Sequence, residues 1–192
     1  MTVTDPYAGL VINEVDYDQV GTDTAEFIEV YNSGSQAIDL STLALVLVNG
    51  SNNLEYARLN LVNAGSSIAP GQYLVVKSSA TIVLPPGTLT MQFAGTTDQI
   101  QNGALDGVAL VDTASLRLLD ALSYEGSITA AVITGFPGTY NLVEGTPLSA
   151  SVADNNSVNG SLARLPNGID SNDAATDWNF TTTPTPGAPN TP

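Results

Sequence analysis

Carboxylates are the chemistry-bearing side chains this sequence offers most freely. Glu14, Asp16 and Asp18 alternate along Leu10–Asp18, and Asp23, Glu26 and Glu29 follow with no cation among them. Calcium takes several carboxylate and carbonyl oxygens from flexible loops such as 19–24, so Asp16, Asp18 and Asp23 form one candidate ligand set. A second set, Asp170, Asn172, Asp173 and Asp177, has alternating oxygen donors but lacks the central Gly and the distant Glu of an EF-hand. Both sets have a plainer reading. Alternating carboxylates also make a solvated sheet face, and Asp and Asn cap turns. Calcium is the one cofactor these residues suggest.

Catalytic readings are weaker. Glu14 and Asp16 on one strand face would stand about 6.5–7 Å apart, within the range for inverting glycosidases. A strand face open to water supplies neither a cleft nor a raised carboxyl pKa, however. Lys77-Ser78-Ser79 invites a Ser-Lys nucleophile, but a lysine at a strand end has nothing to desolvate it. The 192 residues contain no His and no Cys, which removes imidazole-assisted nucleophiles, thiolate chemistry, the usual zinc sites and disulfides. No residue is assigned a catalytic role.

Charge narrows the partners. With 19 Asp+Glu against 4 Lys+Arg, the formal net charge is −15, and Arg58, Lys77, Arg117 and Arg164 lie far apart in sequence. Direct nucleic-acid binding needs a cationic surface and is disfavoured, as is docking on anionic lipid. No apolar run is long enough to span a membrane. A protein or cell-surface ligand stays open, as does the oligomeric state. Arg164 is expected to pair with carboxylates and tie the C-terminal segment to the body of the domain, and Trp178 to plug the core.

The elements that must position these residues read as strands. Hydrophobic period two runs through Leu10–Asp18, with Glu14, Asp16 and Asp18 on one wet face and Val11, Val15 and Tyr17 on the other. Further strands are expected at Glu26–Asn32, Leu43–Val48, Tyr56–Leu61, Tyr73–Lys77, Leu89–Phe93, Gly107–Val111 and Leu116–Tyr124, with 17 Gly and 11 Pro as punctuation. Short strands with regular turns indicate an all-β sandwich or barrel. Residues 8–183 are read as one domain, 126–160 as a long irregular surface excursion and 184–192 as a Pro-rich exit or linker.

The ordered blocks Ile12-Asn13-Glu14-Val15, Glu26–Asn32, Asp39-Leu40-Ser41, Asp106–Leu110, Asp120–Tyr124, Ser161–Gly168, Asp177-Trp178 and Pro184–Asn190 together resemble the lamin-tail domain family. The resemblance implies an immunoglobulin-like β-sandwich acting as a noncatalytic interaction or attachment module. Trp178 stands where an aromatic, more often Phe, is usual. The length of 126–160 lies nearer the bacterial members, which implies a secreted or cell-surface location. The alternative it implies is an accessory domain of a secreted hydrolase of nuclease or phosphatase type, with catalysis outside this chain.

Overall fold

The computed structural model describes residues 5–79 and 81–192. Twelve strands form, in chain order: β1 Leu10–Asp16, β2 Phe27–Asn32, β3 Ile38–Asp39, β4 Leu43–Asn49, β5 Leu54–Asn60, β6 Ser67–Ile68, β7 Tyr73–Lys77, β8 Leu89–Gln92, β9 Asp106–Asp112, β10 Arg117–Tyr124, β11 Ser161–Arg164 and β12 Trp178–Thr181. A single helical turn, α1 (Ala174–Asp177), precedes β12. The strands make a six-stranded sheet of order β12-β11-β1-β2-β7-β8, a four-stranded sheet of order β10-β9-β4-β5 and the small pair β3-β6. This is the immunoglobulin-like β-sandwich expected.

The main core lies between the two large sheets. Ile12, Val15, Ile28, Val30, Leu74, Val76 and Leu162 meet Leu45, Leu47, Val108, Leu110, Leu122 and Tyr124 there. β4 and β9 are continuous apolar runs because their second face is covered too. Ala44, Val46, Val48, Ala109 and Val111 pack under Ile128, Ile133, Phe136 and Leu142, which come from the 126–160 excursion. That segment carries only isolated bridges, yet it forms a lid with a core of its own over the four-stranded sheet.

β1 departs from the wet-faced strand expected of it. All seven of its residues are buried, Glu14 and Asp16 included. The β1–β2 register slips between Ile12 and Glu14, and such a bulge reverses the alternation beyond it. Leu10 and Ile12 therefore share the core with Val15 and Tyr17. Val11, paired with Tyr31, falls on the face that carries the pairs Glu14–Glu29 and Asp16–Phe27, rather than on the face of Val15. The outer face of the six-stranded sheet is thus acidic and covered.

Candidate functional site

Arg164 is the centre of the most highly connected cluster. It projects from β11 between the sheets and is fully buried. Its Nε donates to the Ile12 carbonyl at 2.8 Å. Nη2 reaches Asp120 at 2.8 Å and Glu144 at 3.2 Å, and Nη1 reaches Asp177 at 3.0 Å and Asp170 at 3.3 Å. Asp120 also accepts the Ile12 N–H at 2.6 Å, so β10 of one sheet is stapled to β1 of the other. The Trp178 ring lies 5.0 Å from the guanidinium carbon, and Trp178 is buried in the main core. One guanidinium faces four carboxylates. Burial, then the neighbouring Asp120, pushes the Glu144 carboxyl up to about 9. Burial also raises Asp120, opposed by Arg164.

This cluster takes in two members of the second predicted metal set. Asp170 and Asp177 give oxygens to the guanidinium. Asp177 also accepts the Ser171 N–H at 2.8 Å and the Ser171 hydroxyl at 2.7 Å. Asp173 caps α1, accepting the Thr176 N–H at 3.1 Å, and binds the Thr146 N–H of the excursion at 3.1 Å. Asn172 takes a positive φ of 55° in the turn that Asp170 closes. Among the described residues the carboxylates whose oxygens converge closely enough to share a metal are Asp120, Glu144 and Asp170, all of them contacts of Arg164.

The first predicted set is dispersed over a loop. Asp16 accepts from the Gln19 amide, and Asp23 accepts the Gln19 N–H at 2.8 Å and the Asn102 amide at 2.9 Å. Asp18 directs its N–H, with that of Tyr17, to Asp154, while its own Oδ1 is buried without a partner. Burial and then Asp154 push the Asp16 carboxyl up to about 9, and burial lifts Asp154 to about 7.

A third cluster, absent from the predicted set, is the cross-strand pair Glu14 and Glu29, buried and, among the described residues, with no cation in contact. Glu14 accepts from the Ser161 hydroxyl at 2.6 Å and the Thr185 N–H at 3.0 Å. Glu29 accepts from the Asn13 amide at 2.7 Å and the Gly187 N–H at 2.6 Å. Burial raises both carboxyls, Glu29 well above the usual range. The donors from 185–190 show that the segment read as an exit or linker is laid across the sheet instead of leaving it. Its only signal in the sequence was a charged residue at the centre of the otherwise strand-forming Phe27–Asn32.

The remaining cations are engaged as well. Arg58 pairs with Glu55 at 2.7 Å and Arg117 with Asp5 at 2.9 Å. Lys77, read as a strand-end lysine with nothing to desolvate it, is buried and gives its ammonium to the Ile82 carbonyl at 2.7 Å. It makes no Ser-Lys pair.

No curated protein matches the chain. A family model described as Lamin Tail Domain matches residues 4–126, which carries the first five of the resembling blocks and the start of the excursion, and leaves the Arg164 segment and the 184–190 strap outside the match. That span is more than half of the chain, and it contains β1 to β10, all of the sandwich except β11 and β12. The chain belongs to the lamin tail domain family.

Proposed function

We propose that this domain is a noncatalytic interaction or attachment module, of the bacterial type and working outside the cell, that binds a protein or other surface ligand or positions neighbouring domains. The observation that carries the reading is where its reactive groups are placed. Arg164, Asp120, Glu14 and Glu29 are fully or almost fully buried and satisfied by internal partners, so they hold segments together rather than face a substrate. A catalytic carboxylate pair needs a reacting atom within hydrogen-bond reach. Here the strap and the guanidinium already occupy those positions. Family membership supports the same reading. So does an acidic surface short of cations, which suits an outward-facing module better than a nucleic-acid binder.

The test compares the gene product that carries this domain with a version lacking residues 8–191. Loss of cell-surface retention or ligand binding, with any neighbouring hydrolase keeping its turnover, is the expected result. Phosphodiester, phosphomonoester or glycoside hydrolysis by the purified 192-residue chain, abolished by Glu14→Gln, would overturn it.

A further inference from the structure

The chain contains four Asn-Gly pairs, Asn49-Gly50, Asn102-Gly103, Asn159-Gly160 and Asn167-Gly168. Such a pair carries chemistry of its own. The glycine nitrogen, with no Cβ beside it to hinder approach, can attack the side-chain carbonyl carbon of the asparagine when both are free to turn toward one another. Three of the four pairs are held back. The Gly50 N–H donates to buried Asp106 at 3.0 Å, and Asn49 Oδ1 accepts the Ser51 N–H at 2.8 Å. The Gly168 N–H donates to Asn13 at 2.9 Å, while Asn167 donates to the Tyr73 hydroxyl at 3.1 Å and accepts the Asn190 N–H at 2.9 Å. Gly160 is buried with the Phe180 ring and the Thr181 carbonyl packed against it, and Asn159 accepts the Val20 N–H at 3.2 Å.

Asn102-Gly103 has none of these restraints. Both residues are exposed in the loop that leads into β9, and among the described residues the Gly103 N–H has no acceptor. A Cβ on Gly103 would meet nothing nearer than the Asp106 carboxylate at 3.8 Å, so the glycine has room to swing. The Asn102 side chain makes one bond, from Nδ2 to Asp23 at 2.9 Å. Together with the Asp98 N–H on the Asp23 carbonyl at 3.2 Å, it ties the 93–105 loop to the 19–24 loop. Asn156 and Asn159 hold the other side of the 19–24 loop to the excursion. Arg58, Lys77, Arg117 and Arg164 are engaged elsewhere, so a second carboxylate facing Asp23 would meet no counter-charge.

We propose that Asn102-Gly103 is a self-modifying site, at which conversion of Asn102 to an aspartyl or isoaspartyl residue breaks the tie between the 19–24 and 93–105 loops. In the first step the Gly103 nitrogen bonds to Asn102 Cγ, and Nδ2 leaves as ammonia with the proton that the Gly103 N–H has lost. A five-membered succinimide results. Water then adds to either ring carbonyl, and the carbon–nitrogen bond that breaks decides whether the backbone runs through the α- or the β-carboxyl carbon. No oxidant or reductant is consumed. Both products replace the Nδ2 donor with a carboxylate opposite Asp23, and like charges at that separation repel. The change runs one way, so it records the age of the molecule. It stands apart from the attachment reading and survives its failure.

Peptide mapping by mass spectrometry of the full folded chain, aged in neutral buffer, tests it. The deamidation mass gain should accumulate at Asn102 at least about tenfold faster than at Asn49, Asn159 or Asn167, whose hydrogen bonds or packing must open first. The same chain aged in urea should lose this bias, because all four pairs are then equally free. Asn102→Asp supplies one product directly. Its Asp98 amide, which bonds to the Asp23 carbonyl, should exchange several-fold faster than in the fresh native chain, with the Leu45 and Leu110 amides of the core unchanged. The proposal is overturned if Asn102 in the folded chain reacts no faster than the other three, a result that needs no variant. It also fails if a folded Asn102→Asp keeps the native exchange rate at Asp98.

Discussion

Two buried acidic clusters in this molecule solve the same problem in opposite ways. Around Arg164, carboxylates from β10, the excursion and the 170–177 segment converge on a guanidinium, and the charge itself becomes the cross-link between the sheets and the lid. At Glu14 and Glu29, two strands and a strap meet with hydroxyls, amides and backbone N–H groups alone. The first arrangement is centred on a permanent charge. The second has none and rests on neutral donors, part of them supplied by a segment outside every strand ladder. A cation therefore gives a fixed joint, and neutral donors give a more adjustable one.

Removing the cation should produce the largest effect. Arg164→Met keeps most of the side-chain volume and leaves Asp120 and Asp177 buried without a partner charge, a defect that typically costs 3–5 kcal/mol, or roughly that here. Urea denaturation should show a loss of that size, with the Glu144-bearing lid loosened first. A loss below about 1 kcal/mol would mean that the guanidinium adds little to the joint. The variant also makes the two clusters alike, since neither then holds a cation.

The pH dependence of stability comes next. Burial raises Glu144 to about 9, Asp154 and Glu26 to about 7 and Asp106 to about 6, with Glu14 and Glu29 also raised. For such groups the folded chain holds protons that the unfolded chain has released. Their stabilising contribution is complete below the unfolded value near 4 and is lost as pH rises through each folded value. Asp112, whose burial is outweighed by hydrogen bonds from Ser115, Thr42, the Ala114 N–H and Tyr7 so that it is lowered to about 2, acts oppositely and loses its contribution only as pH falls through its window. Thermal melting should therefore be highest near pH 4–5 and fall steadily toward pH 9. A flat profile, or a rise with pH, would show that the uncompensated carboxyls are not as dry as the structure places them.

The adjustable joint should yield to a smaller change. Gly187→Ala puts a side chain at φ +84° and into contact with Thr88 and Pro85. Backbone strain of this kind costs about 1–2 kcal/mol. Because the strap pairs with no strand, the loss should show as faster exchange of the Thr185 and Gly187 amides, with the main melting transition shifted by only a few degrees. Equal destabilisation of the whole domain would erase the distinction between the two joints.

Much of the sandwich was legible because period two is a local property. Tyr73–Lys77 was read at its observed bounds, and most other strands lie within one or two residues of theirs. The failures have particular causes. The bulge at Asn13 reverses the faces of β1, and no residue type announces it. β3 and β6 are two residues each, too short to have a period. Ile128, Ile133, Phe136 and Leu142 reach the four-stranded sheet from an irregular chain, so their spacing encodes no element. Arg164 stood out in the sequence because cations are scarce, whereas its partners Asp120 and Glu144 are ordinary among 19 acids. The burial of Glu29 could be recognised only once the strap that covers it was known.

Trp178→Phe is the mildest test of the fixed joint. The indole N–H is buried with no hydrogen-bond partner, a defect worth about 1–3 kcal/mol that Phe removes. Phe also fills less space than Trp in a core with the ring packed against Arg164, and lost contacts and a small cavity act in the opposite direction by a similar amount. The net change in unfolding free energy should lie within about 1 kcal/mol of zero, whereas Trp178→Ala, which deletes the ring, should cost about 3–5 kcal/mol. Both follow from chemical denaturation of the same set of variants. If Phe costs as much as Ala, the indole ring is needed for more than covering the guanidinium, and the joint at Arg164 is organised by the aromatic as much as by the carboxylates.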